Sequence, residues 1–355
     1  MKQTLARIVR AGLFASVILI GSLVTAQETI TITLITHDSF SVSDEIFSQF
    51  QEETGITVEV LRSGDVGVLV NQSILSKENP LGDVLFGVDN TFLGRALEGD
   101  IFLPYESPLL EFVPKELQLD PEHRVTPIDY GDVALNYDVA YFEENDLALP
   151  TSLDDLTKPE YKGLLVVQNP TISSPGLAFL LATIDQFGTE GDYDYLDYWQ
   201  ALVDNDVYIS DDWTDAYYTQ FSGSAGSQGT RPIVVSYASS PPAEVFFSDP
   251  QPENALTGTI IADGTAFRQI EFAGILRGTQ HEEAAQQLID FLLSKTFQED
   301  VPLQMFVFPA NTEAELPEVF LDFAAIPENP VTLDFDLINE NRETWLQAWS
   351  ETILR

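Results

Sequence analysis

The chain of 355 residues contains no cysteine. That excludes disulfides, thiolate metal sites and a lipid anchor on a cysteine placed behind an export signal. Basic residues are scarce: 16 lysines and arginines stand against 57 aspartates and glutamates, a formal charge of −41. A surface of that sign repels nucleic acid and anionic membranes and favours cations, within a range that salt limits to roughly 8–10 Å. Histidine occurs only at His37, His123 and His281, far apart in sequence. No H-E-x-x-H, G-x-S-x-G, P-loop or dinucleotide glycine fingerprint is present, so the nucleophile–base pair that an exported hydrolase needs is not on display. Beyond the N-terminus there is no apolar run long enough to span a membrane, and there is no internal repeat or low-complexity stretch.

What is present begins with an export signal. Lys2, Arg7 and Arg10 precede the uncharged run Ala11–Leu23, and Val24-Thr25-Ala26 supplies small residues for cleavage. A signal peptide over residues 1–26 is expected, with a periplasmic or otherwise extracytoplasmic mature chain from Gln27. Removing the three signal charges takes the net charge from −41 to −44.

Behind the signal, Ile30–Thr36 alternates apolar residues as a strand does, and its C-terminal end delivers His37, Asp38 and Ser39. Open α/β sheets bind ligands at such strand ends. The pattern then predicts a helix from Ser43 to Gly55, a strand Ile56–Leu61, a helix near Leu69–Ser76, a strand Asp83–Val88 and a helix Thr91–Glu98. That βαβαβα succession implies an α/β fold with a mostly parallel sheet covered on both faces. Asp129–Tyr137 reads as a long strand leaving this unit. A second unit follows: strand Gly163–Gln168, helix Pro175–Phe187 capped by Ser174, and strands Val207–Ser210 and Pro232–Tyr237. Thr257–Ala262 and Gln269–Arg277 read as strands returning to the first unit. Glu282–Ser294 is an amphipathic helix, and a last helix Asn341–Leu354 offers Trp345, Leu346, Trp349 and Ile353 for docking. A chain that builds one lobe, crosses to another and crosses back makes a hinged clamp with its cleft between the lobes. The expected division is lobe 1 at residues 27–131 and 263–310, lobe 2 at 132–262, and a C-terminal helical segment at 311–355 packed on the lobes.

Aromatic residues stand at the ends of these strands. Trp213 lies between a strand and a helix, Tyr237 ends a strand, and Phe306 and Phe308 fall in a loop after the Glu282–Ser294 helix. Each suits core packing; together they also suit stacking against a heteroaromatic or cationic ligand, at about 0.5–2 kcal/mol per contact. The helix start at Ser173-Ser174-Pro175-Gly176 has the chemistry of a cap, and equally of a hydroxyl or phosphate site. No lysine or arginine accompanies it.

The ordered set Thr36-His-Asp-Ser-Phe40, Gly64-Asp65, Gly87-Val-Asp-Asn90, Ile128-Asp-Tyr-Gly131, Gln168-Asn-Pro-Thr-Ile-Ser-Ser-Pro-Gly176, Asp212-Trp-Thr-Asp-Ala-Tyr217 and Val235-Ser-Tyr237 resembles the periplasmic thiamine-binding proteins of ABC importers. The likeness runs through essentially all of the mature chain. It implies a two-lobed type II periplasmic binding protein with a hinged interlobe cleft. Such a protein captures thiamine, a thiamine phosphate or an analogue and delivers it to a membrane permease, as a monomer, without a cofactor or covalent catalysis. By the same resemblance Trp213 and Tyr237 line the aromatic part of the site, Asp65 sits beside polar groups of the ligand, Ser173 meets its hydroxyethyl or phosphate end, and His37, Asp89 and Phe306 complete the surroundings. Thiamine carries a permanent thiazolium charge and an aminopyrimidine, which suit ring faces and carboxylates. Three positions depart from the family: His37 and Ala243 stand where it has tyrosine, and Phe306 where it has tryptophan. A ferric-ion binder of the same fold is the alternative, resting on the adjacent phenols of Tyr217-Tyr218 and on His37 as a nitrogen ligand.

Overall fold

The structure, a computed structural model, describes residues 30–354; the signal peptide expected at residues 1–26 lies outside the described residues. Strands β1 (Thr31–Thr36), β2 (Thr57–Arg62) and β3 (Val84–Asp89) alternate with helices α1 (Ile46–Thr54), α2 (Val66–Leu75) and α3 (Leu93–Glu98). β1 pairs in parallel with both β2 and β3, as strands joined by helical crossovers do. β3 is buried over its whole length, whereas β2, at the sheet edge, is not. Ser43 does not cap α1: its carbonyl accepts from the Ile46 amide in a preceding turn, and the helix starts at Ile46. Gly55 closes it at φ 74°, the left-handed conformation that glycine adopts at no steric cost.

After the short β4 (Phe102–Leu103), the thirteen-residue β5 (Thr126–Asp138) leaves this unit and leads into α4 (Val139–Glu144). The second half holds β6 (Leu165–Gln168), α5 (Ser174–Phe187), α6 (Tyr195–Asp204), β7 (Tyr208–Ser210), a single π-helix Asp215–Gln220, β8 (Ile233–Tyr237), α7 (Ser240–Phe247) and β9 (Thr257–Ile260). The chain returns along β10 (Phe267–Leu276) and finishes with α8 (Glu282–Leu293), α9 (Lys295–Met305), β11 (Phe308–Pro309), α10 (Glu318–Phe323) and α11 (Phe335–Ile353). One continuous sheet results, in the order β2-β1-β3-β10-β5-β8-β6-β7.

β5 and β10 are antiparallel neighbours in the middle of that order, and they divide the apolar interior. Leu34, Phe50, Ile128, Ile270 and Leu288 belong to one buried cluster; Val133, Leu180, Trp199, Val235 and Phe267 belong to another. The change of core falls between Ile128 and Val133 on β5 and between Phe267 and Ile270 on β10. Helix α11 packs against both α3 and α6. There Trp349 meets Trp199 edge-on at 5.2 Å, and the Arg342 guanidinium lies 4.1 Å over the Phe92 ring.

Besides the Ser43 cap, five expectations are corrected. The sheet is mixed rather than mostly parallel, because β3, β10, β5 and β8 pair antiparallel in turn. β9 does not rejoin the first unit; it pairs with Leu135–Asp138, the far end of β5. Ser173, not Ser174, is the cap of α5: its backbone is extended at φ −122° and its Oγ accepts from the Gly176 amide. The segment before Phe306 is helix α9 rather than loop, and Phe308 is a buried strand residue stacked on Tyr130. The last helix begins at Phe335, six residues before the expected Asn341.

Candidate functional site

The loops that leave β1, β2, β6, β7 and β8 converge, together with the middle of β5 and β10, on a cavity of about 920 Å³. All seven residues expected at the site line it: His37, Asp65, Asp89, Ser173, Trp213, Tyr237 and Phe306. Each arrives by a different local device.

Asp38 ties the ends of β1 and β2 together. Its amide donates to the Gly64 carbonyl at 3.1 Å, and its Oδ1 accepts from the Gly64 amide at 2.9 Å. Gly64 takes φ +80°, which suits glycine, and the next residue, Asp65, occupies the cap position of α2. Its carboxylate makes no capping hydrogen bond and stays exposed at the cavity. His37 turns over β3 at Gly87, whose φ is +97°; a Cβ built there would stand 2.2 Å from the His37 Cδ2. The imidazole therefore fills the volume of an absent side chain.

Asp89 is committed inward. Its Oδ1 accepts from the Thr91 amide (2.8 Å), the Thr91 hydroxyl (2.6 Å) and the Phe92 amide (3.2 Å), and its Oδ2 accepts from Gln269 Nε2 at 2.7 Å. It braces the turn after β3 and holds Gln269, whose Oε1 accepts from the Tyr237 hydroxyl at 3.3 Å. Trp213 is fixed by donation from Nε1 to Ser236 Oγ at 2.9 Å. Tyr217 stacks on the indole at 4.8 Å and 12°, and Tyr218 stands perpendicular to it at 5.5 Å. Both tyrosines line the cavity. Phe306 caps α9 in the left-handed region at φ 55°, its carbonyl accepting from Ser239 Oγ. Its ring meets Phe247 of α7 at 5.2 Å and stacks on Phe320 of α10 at 6.0 Å.

The charges are one-sided. Asp65, Asp89, Asp129, Asp211, Asp212, Glu244 and Glu271 all line the cavity, and among the described residues no lysine or arginine does. Asp129 and Glu271 face each other as paired residues of β5 and β10, where the strand register shifts. Burial, then the Glu271 charge, push Asp129 well above the usual carboxylate range. Its two oxygens have no hydrogen-bond partner, an environment that favours the protonated carboxyl. Burial also works against ionisation of Glu271, yet His37 and then Asp129 outweigh it and leave its carboxyl below the usual range. Three register positions along, Arg268 clasps Asp132 with two hydrogen bonds of 2.8 Å each between the same two strands. The arrangement offers an organic cation both flat rings and carboxylates.

Asp129, Gln269, Glu271 and Glu244 were not expected at the site, and Tyr217 was expected there only for the iron alternative. A signal for two of them was readable: Asp129 and Glu271 are carboxylates in the interiors of two largely buried strands, where an unpaired charge is costly without a task.

The family described as bacterial extracellular solute-binding protein matches residues 79–341. The thiamine-binding periplasmic protein of Brucella suis is 26% identical over 343 residues, covering 95% of this chain and 96% of the relative. That of Escherichia coli is 24% identical over 332 residues, covering 91% and 94%. Among solved structures, a periplasmic thiamin binding protein superposes with a TM-score of 0.73 at 23% identity, covering 92% of this chain and 96% of that one. At that identity the structural likeness shows the fold, which is that of the two-lobed type II periplasmic binding proteins.

Proposed function

We propose, for a chain that belongs to the bacterial extracellular solute-binding proteins, that its cleft captures thiamine and presents it to an ABC permease. The observation that carries this reading is the lining: six aromatic rings (Trp213, Tyr217, Tyr218, Tyr237, Phe247 and Phe306) and seven carboxylates around a cavity of about 920 Å³, with no basic side chain besides His37. A flat, permanently charged thiazolium fits such a lining, since a cation on a ring face gains about 0.5–2 kcal/mol per contact. The full-length relatives named as thiamine-binding periplasmic proteins support the same ligand.

In this reading Trp213 and Tyr237 stack on the ligand rings, Asp65 takes the exocyclic amine, and Ser173 lies toward the hydroxyethyl end. Asp89 acts through Gln269 and Tyr237 rather than by touching the ligand, because its hydrogen bonds are already internal. The lobes, 27–131 with 263–310 and 132–262, close by rotation about β5 and β10, with the segment 311–355 packed across them. The protein works as an extracytoplasmic monomer with an export signal over residues 1–26, no cysteine-borne lipid and no catalysis. Ferric ion is the poorer ligand: the Tyr217 ring is taken up in the stack on Trp213, and among the described residues no group of three or more histidine, aspartate or glutamate side chains is placed to hold a metal ion.

A thermal-shift titration against thiamine, its mono- and diphosphate and ferric citrate tests the reading. A ligand that binds only the folded state stabilises it by about 2.7 kcal/mol at a hundred times its Kd. A saturating rise with thiamine is expected; a rise with ferric citrate alone overturns the assignment.

A further inference from the structure

The acidic floor of the cleft holds one basic side chain. His37 Nε2 lies 3.4 Å from Glu271 Oε1, and the two side chains keep 14% and 20% of their surface exposed while lining the cavity. Nε2 has no hydrogen-bond partner, so what joins the two groups is their proximity rather than a directed bond. The other acidic groups that face this imidazole are Asp89 from β3, Asp38 from its own loop and, through Glu271, Asp129 from β5. Among the described residues lining the cavity, no second basic group answers these acids.

We infer that His37 is the resident counter-ion of the cleft: its imidazolium neutralises Glu271 in the ligand-free protein, and an arriving organic cation takes over that carboxylate while the His37 proton leaves to solvent. The inference rests on the cationic ligand of the proposed function and adds the proton that moves against it. One positive charge enters, one proton departs, and the charge of the floor is unchanged.

The electrostatics agree. Burial pulls the imidazole down, but Glu271, then Asp89 and Asp38, carry it above its ordinary value of 6.5. A cation bound beside Glu271 removes that support and lowers it. Affinity therefore rises with pH between the two His37 midpoints, by up to about tenfold per pH unit, and is level above the ligand-free midpoint. A permanent cation gains most from such an exchange, because it does not give up its own charge in turn.

The test is an NMR titration of ring-labelled histidine in the chain from Gln27, between pH 5.5 and about 8.5, with and without saturating thiamine. Only three histidines contribute. His37→Gln assigns the signal, or His123→Gln and His281→Gln do so by elimination if that variant does not fold. The expected result is a ligand-free His37 midpoint above 6.5 that falls by about one unit or more with thiamine, with Kd weakening toward acid by the matching tenfold. A midpoint that thiamine leaves unchanged or raises overturns the inference, as does a ligand-free midpoint at or below 6.5. If thiamine does not saturate the protein, the ligand assignment fails by itself. The ligand-free titration of Glu271→Gln then decides the pairing: a fall in the His37 midpoint supports it and an unchanged midpoint overturns it.

Discussion

Trp213 shows how one side chain joins fold and function. Its indole is held from below by donation to Ser236 and from one side by the Tyr217 ring, so it meets a ligand already oriented, and little side-chain entropy is lost on binding. Trp213→Ala is expected to weaken thiamine binding by roughly 2- to 30-fold, the range of a single cation–ring contact; calorimetric Kd values for the two proteins check it, and equal values contradict the stacking role. Asp129 has the opposite character, a carboxyl whose ionisation burial and then Glu271 oppose. Its folded value lies above its unfolded one, so the folded chain binds the extra proton, and the stability this gives is present below the unfolded carboxylate range. It is lost as pH rises toward the raised folded value. Asp129→Asn removes that slope. The variant is expected to gain melting temperature over the parent at neutral pH and to lose the advantage near pH 4; a constant difference across pH contradicts a protonated Asp129.

At the scale of elements, the first half of the chain was legible because its strands and helices are short, differ in period and are punctuated by glycine. The parallel β1–β3 unit follows from that pattern. What escaped was set by distant partners. The return strand β9 carries no sign of which unit it will join, and it pairs with β5 because β5 is long enough to serve both halves. Helix α9 contains Pro302 and begins directly after α8 at Ser294, so the sequence reads as a loop where the structure has a helix. The site followed the same rule. The residues expected from motifs after strands line the cavity, whereas Glu271 and Gln269, inside a strand, reach it only through the register of β10 on β5 and β3. Gly87 marks the tightest such meeting. Gly87→Ala sets a Cβ at 2.2 Å from the His37 ring in a backbone at φ +97°. A loss of about 1–3 kcal/mol in urea unfolding is expected, with displacement of His37 and weaker thiamine binding. An unchanged denaturation midpoint contradicts the packing described.

For the whole molecule the relevant facts are the two cores, the pair of strands that joins them and the sign of the charge. β5 and β10 carry Asp129–Glu271 and Arg268–Asp132 at the place where the interior changes from one cluster to the other, so the site sits where the two cores meet. Among the described residues no helix is long and apolar enough to cross a membrane. The formal charge of −41 draws a cation toward the cleft from beyond contact. The association rate of thiamine is therefore expected to fall several-fold between about 20 and 500 mM salt, with a smaller change in the dissociation rate. Stopped-flow quenching of tryptophan fluorescence reads both rates, and a salt-independent association rate contradicts electrostatic guidance.

The most direct measurement is isothermal titration of the chain from Gln27 with thiamine at pH 7.5. Saturable heat with one ligand per chain, diminished in Trp213→Ala, is the expected result; no saturable heat with thiamine, from a protein whose folding is confirmed by its melting transition, contradicts the central claim.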